Sequence, residues 1–145
     1  MFKHILIPTD GSKRSEKAVR KGIRLAQSMK ARVTAFHAIP KFYASDVMMD
    51  LLSTSRGNYA AAALAYAKER LRFVQVAAQA FDVRCDARHA TTDDPAGAII
   101  EAAKASGCDL ILMASHGRRG LGALLLGSET QKVLAHSTIP VLVYR

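Results

Sequence analysis

Long apolar runs are absent from this sequence. The uninterrupted hydrophobic stretches fall far short of the ~20 residues that a membrane-spanning helix needs. The N-terminal segment "MFKHILIP" carries one lysine and an apolar run that stops at Pro8, without the longer hydrophobic region and cleavage site of a secretory signal. We therefore expect a cytoplasmic protein with no membrane segment.

Cysteine is scarce, since Cys85 and Cys108 are the only two in 145 residues. They form no C-x-x-C pair, and no metal-ligand spacing surrounds them. Each lies in or beside an apolar, strand-like run. We therefore expect two buried or half-buried thiols in the reduced state, and no disulfide.

The sequence also lacks the patterns that mark common catalytic centres. It has no nucleophile elbow, no H-E-x-x-H motif and no pair of carboxylates at a position expected for a cleft. His116 lies in a glycine-rich stretch but has no carboxylate or nucleophile near it in sequence, so we expect it to shape its loop. These absences argue against a dedicated enzyme.

Acidic residues are few relative to basic ones: 12 Asp and Glu against 21 Lys and Arg give a formal net charge of +9. Such a charge favours an anionic partner. Much of the excess lies in "KRSEKAVRKGIR" and "KERLR", where helical spacing predicts solvent-exposed helix faces. A nucleic-acid binder ranks last of the three functions considered, because the sequence has no motif in which basic and aromatic residues interleave.

What the sequence does contain is an alternation of strand-like and helix-like segments. The order βαβαβαβαβ predicts one α/β domain over residues 1–145, with a parallel sheet covered by helices on both faces. Residues 40–57 fit neither pattern and are predicted to form a long loop or a short helical insert. The predicted strands are 3–8, 31–40, 82–90, 108–115 and 138–145, and the predicted helices are about 13–29, 58–81, 93–107 and 128–137.

Capping residues mark the ends of several predicted helices. Ser12 is a predicted N-cap, and so is Asp94, which Pro95 follows at the first helical position. Gly107 is the predicted C-terminal end of the same helix. Ser128, with a glutamine three residues later, predicts a capping box at the last helix.

The glycine-rich stretch "ASHGRRGLGALLLGS", residues 114–128, follows the fourth predicted strand. Its glycines leave backbone N–H groups open to an anion, and the helix start at Gly127 adds a favourable dipole. Arg118 and Arg119 would supply charge-assisted contacts to phosphates. The spacing matches neither a Walker A loop nor the G-x-G-x-x-G fingerprint. Local chemistry alone leaves two interpretations open, a phosphate site and a purely structural turn.

These motifs together resemble the universal stress protein family. The resemblance covers the whole chain and rests on "ILIPTDGS", on "FHAI" and on the stretch from "DLILMASHG" to the C-terminus. The nucleotide-binding branch of that family carries glycine, two residues, glycine, nine residues, then glycine followed by Ser or Thr. Gly117, Gly127 and Ser128 match this pattern, whereas Ala114 replaces the first glycine.

The resemblance implies a Rossmann-like α/β fold: an open five-stranded parallel sheet of order 3-2-1-4-5 with helices on both faces. It also implies a homodimer paired through the C-terminal strand, and ATP, accompanied by Mg²⁺, bound across the carboxyl ends of strands one and four. Asp10 would contact the ribose or the cation, Ala38 would offer backbone groups to adenine, and Ser128 would donate to a phosphate. The other implied contacts are Pro8, Thr9, Met113, Ala114, Gly117 and Gly127. Arg118 and Arg119 are predicted phosphate contacts because of their positive charge.

Two functions rank above the nucleic-acid binder at this point. The resemblance implies a nucleotide-binding stress-response module, a homodimer with an unidentified protein partner and at most slow ATP hydrolysis. Ala114 favours the alternative, a dimeric interaction or signalling protein of the same fold that acts without nucleotide. Local roles compete as well, because Asp10 would also cap the helix that begins near Ser12, and Thr9 would also serve as a turn hydroxyl.

Overall fold

The computed structural model describes residues 1–41, 55–117 and 125–145. Most of the predicted insert, residues 42–54, and the pair Arg118 and Arg119 lie outside these ranges. The described ranges alternate five strands with four helices, as predicted. The strands are β1 (His4–Pro8), β2 (Arg32–Pro40), β3 (Cys85–Thr92), β4 (Leu110–Ala114) and β5 (Val141–Tyr144), and the helices are α1 (Lys13–Met29), α2 (Ser55–Gln79), α3 (Pro95–Ser106) and α4 (Ser128–His136).

The five strands form one parallel sheet in the order β3-β2-β1-β4-β5, which confirms the predicted topology. β1 lies at the centre, where Ile5 is in register with Val33 of β2 and with Leu110 of β4. Parallel sheets of this kind are covered on both faces. All the carboxyl ends of the strands therefore lie at one edge of the sheet.

Alternate side chains of the strands pack into two separate cores, one on each face of the sheet. Ile7, Val33 and Leu112 pack under α1 and α2, whereas Leu6 and Phe36 pack under α3 and α4. This alternation follows from the period of two in a strand. Helices α1 and α2 therefore cover one face of the sheet, and α3 and α4 cover the other.

Helix α1 lies close against the sheet. Its Ser12 N-cap accepts a hydrogen bond from the Ser15 amide at 3.2 Å, as the sequence predicts. A Cβ added at Gly22 would fall 2.7 Å from the Cδ1 of Ile7, so glycine permits the short distance between helix and sheet. The side chains that α1 buries are Ser15, Ala18, Val19, Ile23 and Ala26.

Both predicted ends of α3 are confirmed, whereas the predicted N-cap of α4 is wrong. Asp94 caps α3 by accepting from the Gly97 amide at 3.1 Å, and Gly107 ends that helix in the left-handed region. At α4, however, the N-cap is Gly127, and no side chain caps this helix. Ser128 is the first helical residue instead, so the predicted capping box does not form.

Strand β3 begins later than predicted, at Cys85. Asp82 adopts a left-handed φ of 55° in the turn after α2, and this turn places residues 82–84 before the strand. Both cysteines are free thiols, with Cys108 buried and Cys85 half-buried, as expected. Burial raises the pKa of each thiol to about 11, so both are uncharged and weakly reactive at neutral pH.

A buried histidine at the start of β1 makes the fold sensitive to acid. His4 is 4% exposed, with Nε2 2.8 Å from the Thr34 hydroxyl and no hydrogen-bond partner for Nδ1. Burial lowers the pKa of His4, and the positive charge of Arg32 lowers it further. The folded state therefore favours the neutral ring, whereas the unfolded chain takes up a proton near pH 6.5.

We expect the free energy of unfolding to fall as the pH drops below about 6.5, because the unfolded state then binds more protons than the folded one. The His4 contribution is at most about 1.4 kcal/mol per pH unit, the limit for one proton. Urea unfolding between pH 7.5 and 5 measures it. His4→Gln should flatten this dependence. Equal slopes for the wild type and His4→Gln would contradict the assignment.

Candidate functional site

Three segments meet where the carboxyl ends of β1, β2 and β4 lie side by side. They are the turn that follows β1, the last residues of β2, and the segment that leads from β4 toward α4. The chain leaves β1 for β2 on one side, and β4 lies on the other side. Ligands of open α/β sheets bind at such a reversal of strand order.

The turn after β1 holds Thr9 in a buried position. Its amide donates to the Phe36 carbonyl at 2.9 Å, and its hydroxyl lies 3.2 Å from the Ser15 hydroxyl. The same hydroxyl accepts from the Gly11 amide at 3.2 Å. The Thr9 side chain is thus engaged within the turn, while Pro8 is half-buried at the end of β1.

Asp10 connects this turn to the segment that follows β4. Its Oδ1 accepts a hydrogen bond from the Ser12 amide at 2.8 Å, which is an Asx turn that leads into α1, since the N-cap itself is Ser12. Its Oδ2 lies against Gly117, so close that a Cβ added there would fall 2.5 Å away. One carboxylate therefore both supports the start of α1 and faces Gly117, the second glycine position of the nucleotide-binding pattern.

Helix α2 also reaches this turn. The Tyr66 hydroxyl donates to the Asp10 carbonyl at 3.1 Å, and the guanidinium of Arg70 stacks 5.0 Å from the Tyr66 ring centre. Gly11 has a φ of +79°, and a Cβ there would lie 2.6 Å from both side chains. His37 packs edge-on to the Tyr66 ring, and its Nδ1 donates to the Thr9 carbonyl at 2.7 Å.

These α2 contacts were not predicted, because an alanine-rich helix is typical of a core element. The one available signal was the spacing of Tyr66 and Arg70, which lie four residues apart on one helix face.

Ala38 lies two residues beyond the point where β1 ends, since Pro8 is in register with Phe36. The Arg32 amide donates to the Lys3 carbonyl on the β1 side, and the Val33 amide donates to the Arg84 carbonyl on the β3 side. Backbone groups alternate along a strand, so the even-numbered residues of β2 direct their amides toward β1. The backbone of Ala38 therefore faces the space past the end of β1.

The end of β4 places its residues in different surroundings. The Met113 side chain is buried in the core under α3 and α4, and Ala114 is half-buried with its carbonyl accepting from the Thr130 hydroxyl at 3.1 Å. The Ser115 hydroxyl lies 3.0 Å from Nδ1 of His116, whose ring is buried and whose Nε2 has no hydrogen-bond partner. His116 therefore packs inside the segment, in line with a loop-shaping role.

The start of α4 lies directly beside this segment. The Gly127 amide donates to the Ser115 carbonyl at 2.8 Å, and a Cβ on Gly127 would fall 3.4 Å from that oxygen. Ser128 is exposed at the first helical position. Glu129, the acid of this first turn, accepts from the Ala96 amide at the start of α3 at 3.0 Å. That carboxylate is thus hydrogen-bonded to another helix.

Metal-ligating side chains are sparse in the described part of the chain. Residues 1–41, 55–117 and 125–145 contain no group of three or more His, Cys, Asp or Glu able to hold a metal ion. Asp10 is the carboxylate at the crevice. Mg²⁺ keeps several waters and is often held by one or two carboxylates together with substrate phosphates, so a single aspartate fits that role. Across the same ranges, no helix is long and apolar enough to cross a membrane.

Comparisons with known proteins agree with this architecture. A sequence model of the universal stress protein family matches residues 1–145. A universal stress protein of Thermus aquaticus is 34% identical over 152 residues, covering 100% of both chains. The structure of MJ0577 from Methanocaldococcus jannaschii has a TM-score of 0.78 at 26% identity, covering 99% of this chain and 95% of that one. A universal stress protein solved in complex with cAMP has a TM-score of 0.71 at 24% identity, covering 99% and 97%. This chain therefore belongs to the universal stress protein family.

Proposed function

We propose that the protein binds an adenine nucleotide, ATP, at the carboxyl ends of β1 and β4 and acts as a cytoplasmic regulatory module in stress responses. One observation carries this proposal: the Asp10 carboxylate faces Gly117 across the gap between the two strands. A carboxylate opposite a glycine-flanked helix start supplies a cation ligand beside a phosphate seat. The family member solved with cAMP supports the adenine part of the ligand.

Each residue of the proposed site is assigned to one part of ATP. The first-turn amides of α4 have no side-chain cap, so phosphate oxygens would accept from them together with the exposed Ser128 hydroxyl. Asp10 would hold Mg²⁺ against the phosphates or bind the ribose. The backbone of Ala38 would meet the adenine edge, and Pro8 would lie beneath the adenosine. Arg118 and Arg119 stay predicted phosphate contacts.

Titration with ATP and Mg²⁺, followed by melting temperature, tests the proposal. A ligand present at 100 times its Kd stabilises the native state by about 2.7 kcal/mol, which raises the melting temperature by roughly 10 °C. Asp10→Asn keeps an oxygen for the Ser12 amide but loses the charge. We expect this variant to bind ATP without dependence on Mg²⁺. An unchanged melting temperature at millimolar nucleotide would contradict the proposal.

Hydrolysis is expected to be slow at most, because Asp10, the carboxylate at the crevice, already accepts from the Ser12 amide and is assigned to Mg²⁺ or the ribose. Turnover measured beside binding, in the wild type and in Asp10→Ala, separates a binding protein from an ATPase. Loss of binding together with a negligible starting rate is the expected result.

The dimer is proposed to form by pairing of β5 with its copy in a second chain. β5 is an edge strand, and Leu142 on it is 44% exposed. The amides of Ile111 and Ser115 donate to the carbonyls of Pro140 and Tyr144. By the alternation of a parallel ladder, the Val143 amide faces away from β4 and is available to another strand.

Val143→Pro removes this outward donor without removing a hydrogen bond to β4, so we expect it to dissociate the dimer. Ala87→Pro is the matched control, because the register of β3 makes the Ala87 amide face outward at the opposite edge of the sheet. Sedimentation velocity should show a monomer for the first variant and a dimer for the second. The reverse pattern would assign the dimer to β3.

The second candidate function is a dimeric interaction protein that works without nucleotide. Ala114, in place of the first glycine of the nucleotide-binding pattern, favours it. Mass spectrometry of small molecules that co-purify with the protein distinguishes the two. An adenine nucleotide in the purified sample supports the first candidate, whereas a firm dimer free of nucleotide supports the second.

A further inference from the structure

The solvent face of α1 is almost entirely basic. At about 100° per residue, six exposed cations fall within roughly 120° of arc, opposite the buried side chains of the helix. From Lys13 to Arg24 they extend about 16 Å along the axis. We call this surface the α1 basic face: Lys13, Arg14, Lys17, Arg20, Lys21 and Arg24.

This charge is concentrated rather than spread over the chain. Residues 13–30 hold seven Lys and Arg against one Glu, a net charge of +6 out of the +9 of the whole protein. In α3 and α4, by contrast, Lys104 pairs with Glu101 and Lys132 pairs with Glu129. No salt bridge between described residues includes a cation of the α1 basic face.

Aromatic rings outside α1 stack on two guanidinium groups of the α1 basic face, and further cations lie beyond the end of the helix. The guanidinium of Arg20 lies 5.2 Å from the ring centre of Phe73, and that of Arg24 lies 5.7 Å from the ring centre of Phe81. Stacked guanidinium groups lose less freedom on binding than free ones. Past the end of α1, a cavity of about 390 Å³ adds further cations: Lys30, Arg32 and Arg84.

We propose that the α1 basic face binds the phosphodiester backbone of nucleic acid without reading its sequence. A duplex carries one charge per about 1.7 Å of axis, so roughly ten phosphates lie along a surface of this length. Backbone binding needs no aromatic recognition motif, because it depends on cations and phosphates alone. The absence of such a motif from the sequence therefore does not oppose it.

A lipid surface fits this face less well. Peripheral helices bind bilayers by burying an apolar face beside their cations. In α1 the apolar residues Val19, Ile23 and Ala26 are buried against the sheet, and none of them is available to a membrane. Lys17, Lys21 and Arg24 separate this proposal from the nucleotide site, because they are exposed and lie about one to three turns beyond the start of α1.

The test measures binding of the full chain to a mixed-sequence DNA duplex and to an RNA of the same length, as a function of salt. Six phosphate contacts predict a slope of log K against log salt near −5, which is about a 1,000-fold loss of affinity between 50 and 200 mM salt. Lys17→Gln with Lys21→Gln and Arg24→Gln should reduce the slope by about half.

The matched control changes three cations on other surfaces, Lys3→Gln with Lys104→Gln and Lys132→Gln, and should keep the original slope. Melting temperatures establish that both triple variants fold. Equal slopes for the two variants would overturn the proposal, because the effect would then follow net charge and not the α1 basic face. Stronger binding to phosphatidylserine vesicles than to either nucleic acid, at the same salt, would also overturn it.

Discussion

Gly117→Val is expected to weaken ATP binding by about 100-fold, or 2.7 kcal/mol, and to leave the fold intact. A Cβ at this position would fall 2.5 Å from Oδ2 of Asp10, so the carboxylate or the segment after β4 must move. Either movement separates the proposed cation ligand from the proposed phosphate seat. The backbone itself accepts valine, because the described glycines with positive φ are Gly11 and Gly107. Isothermal titration with ATP and Mg²⁺ measures the loss.

Gly57→Val is the control for this substitution. Gly57 lies in α2, and a Cβ there meets nothing within 4 Å. The control variant should bind ATP as the wild type does, and both variants should unfold at similar urea concentrations. Wild-type affinity in Gly117→Val would show that the contact between Asp10 and Gly117 lies outside the ligand site.

Phe36→Ala is expected to reduce the free energy of unfolding by about 3–5 kcal/mol. Phe36 is 2% exposed and packs with Leu6, Ile99 and Met113 under α3 and α4. Removal of its ring leaves a cavity in a core that surrounding side chains fill only in part. Natural domains are stable by only about 5–15 kcal/mol, so the variant loses a large share of the total. Urea unfolding at neutral pH measures the change.

Phe73→Ala tests whether the loss of unfolding free energy in Phe36→Ala comes from the burial of Phe36 or from the removal of any phenylalanine. Phe73 is half-buried and packs at the margin of the other core, below the guanidinium of Arg20. We expect a loss of about 1–2 kcal/mol, which reflects its smaller buried area and one cation–π contact. Phe36→Leu should also cost less than Phe36→Ala, since leucine refills most of the cavity. Equal losses for Phe36→Ala and Phe73→Ala would contradict the burial of Phe36 inside the core under α3 and α4.

The fold was accessible from the sequence because local and long-range signals agree. Apolar runs such as Leu110–Ala114 are continuous, as a strand buried on both faces requires, and α1 shows a buried stripe at helical spacing. Caps at Ser12 and Asp94 fixed two helix starts by side-chain chemistry alone. The strand order came from the family resemblance, since alternation by itself predicts a parallel sheet but no order.

The start of α4 was predicted one residue late, and the reason is tertiary. Both Gly127 and Ser128 are acceptable N-caps by residue type. The choice is made by contacts with the segment after β4: the Gly127 amide donates to the Ser115 carbonyl, and the Thr130 hydroxyl donates to the Ala114 carbonyl. Those partners are remote in sequence, so no local pattern could select between the two positions.

The candidate site was accessible only in part for a similar reason. Asp10 and Gly117 follow strands one and four, and parallel strands bring such positions to one edge. Tyr66 and Arg70 reach the same edge from the middle of α2, at a sequence separation of 56 residues between Tyr66 and Asp10. Their arrival depends on the length and tilt of α2 over the sheet, which no spacing within the helix encodes.

The peptide units of Ser115 join two parts of the molecule. The Ser115 carbonyl accepts from the amide that begins α4, and its amide donates to the Tyr144 carbonyl at the end of β5. A shift of the backbone at Ser115 would therefore be transmitted to β5, the strand at one edge of the sheet. If nucleotide favours one position of it, occupancy and subunit association become linked functions, and each must alter the other by the same factor.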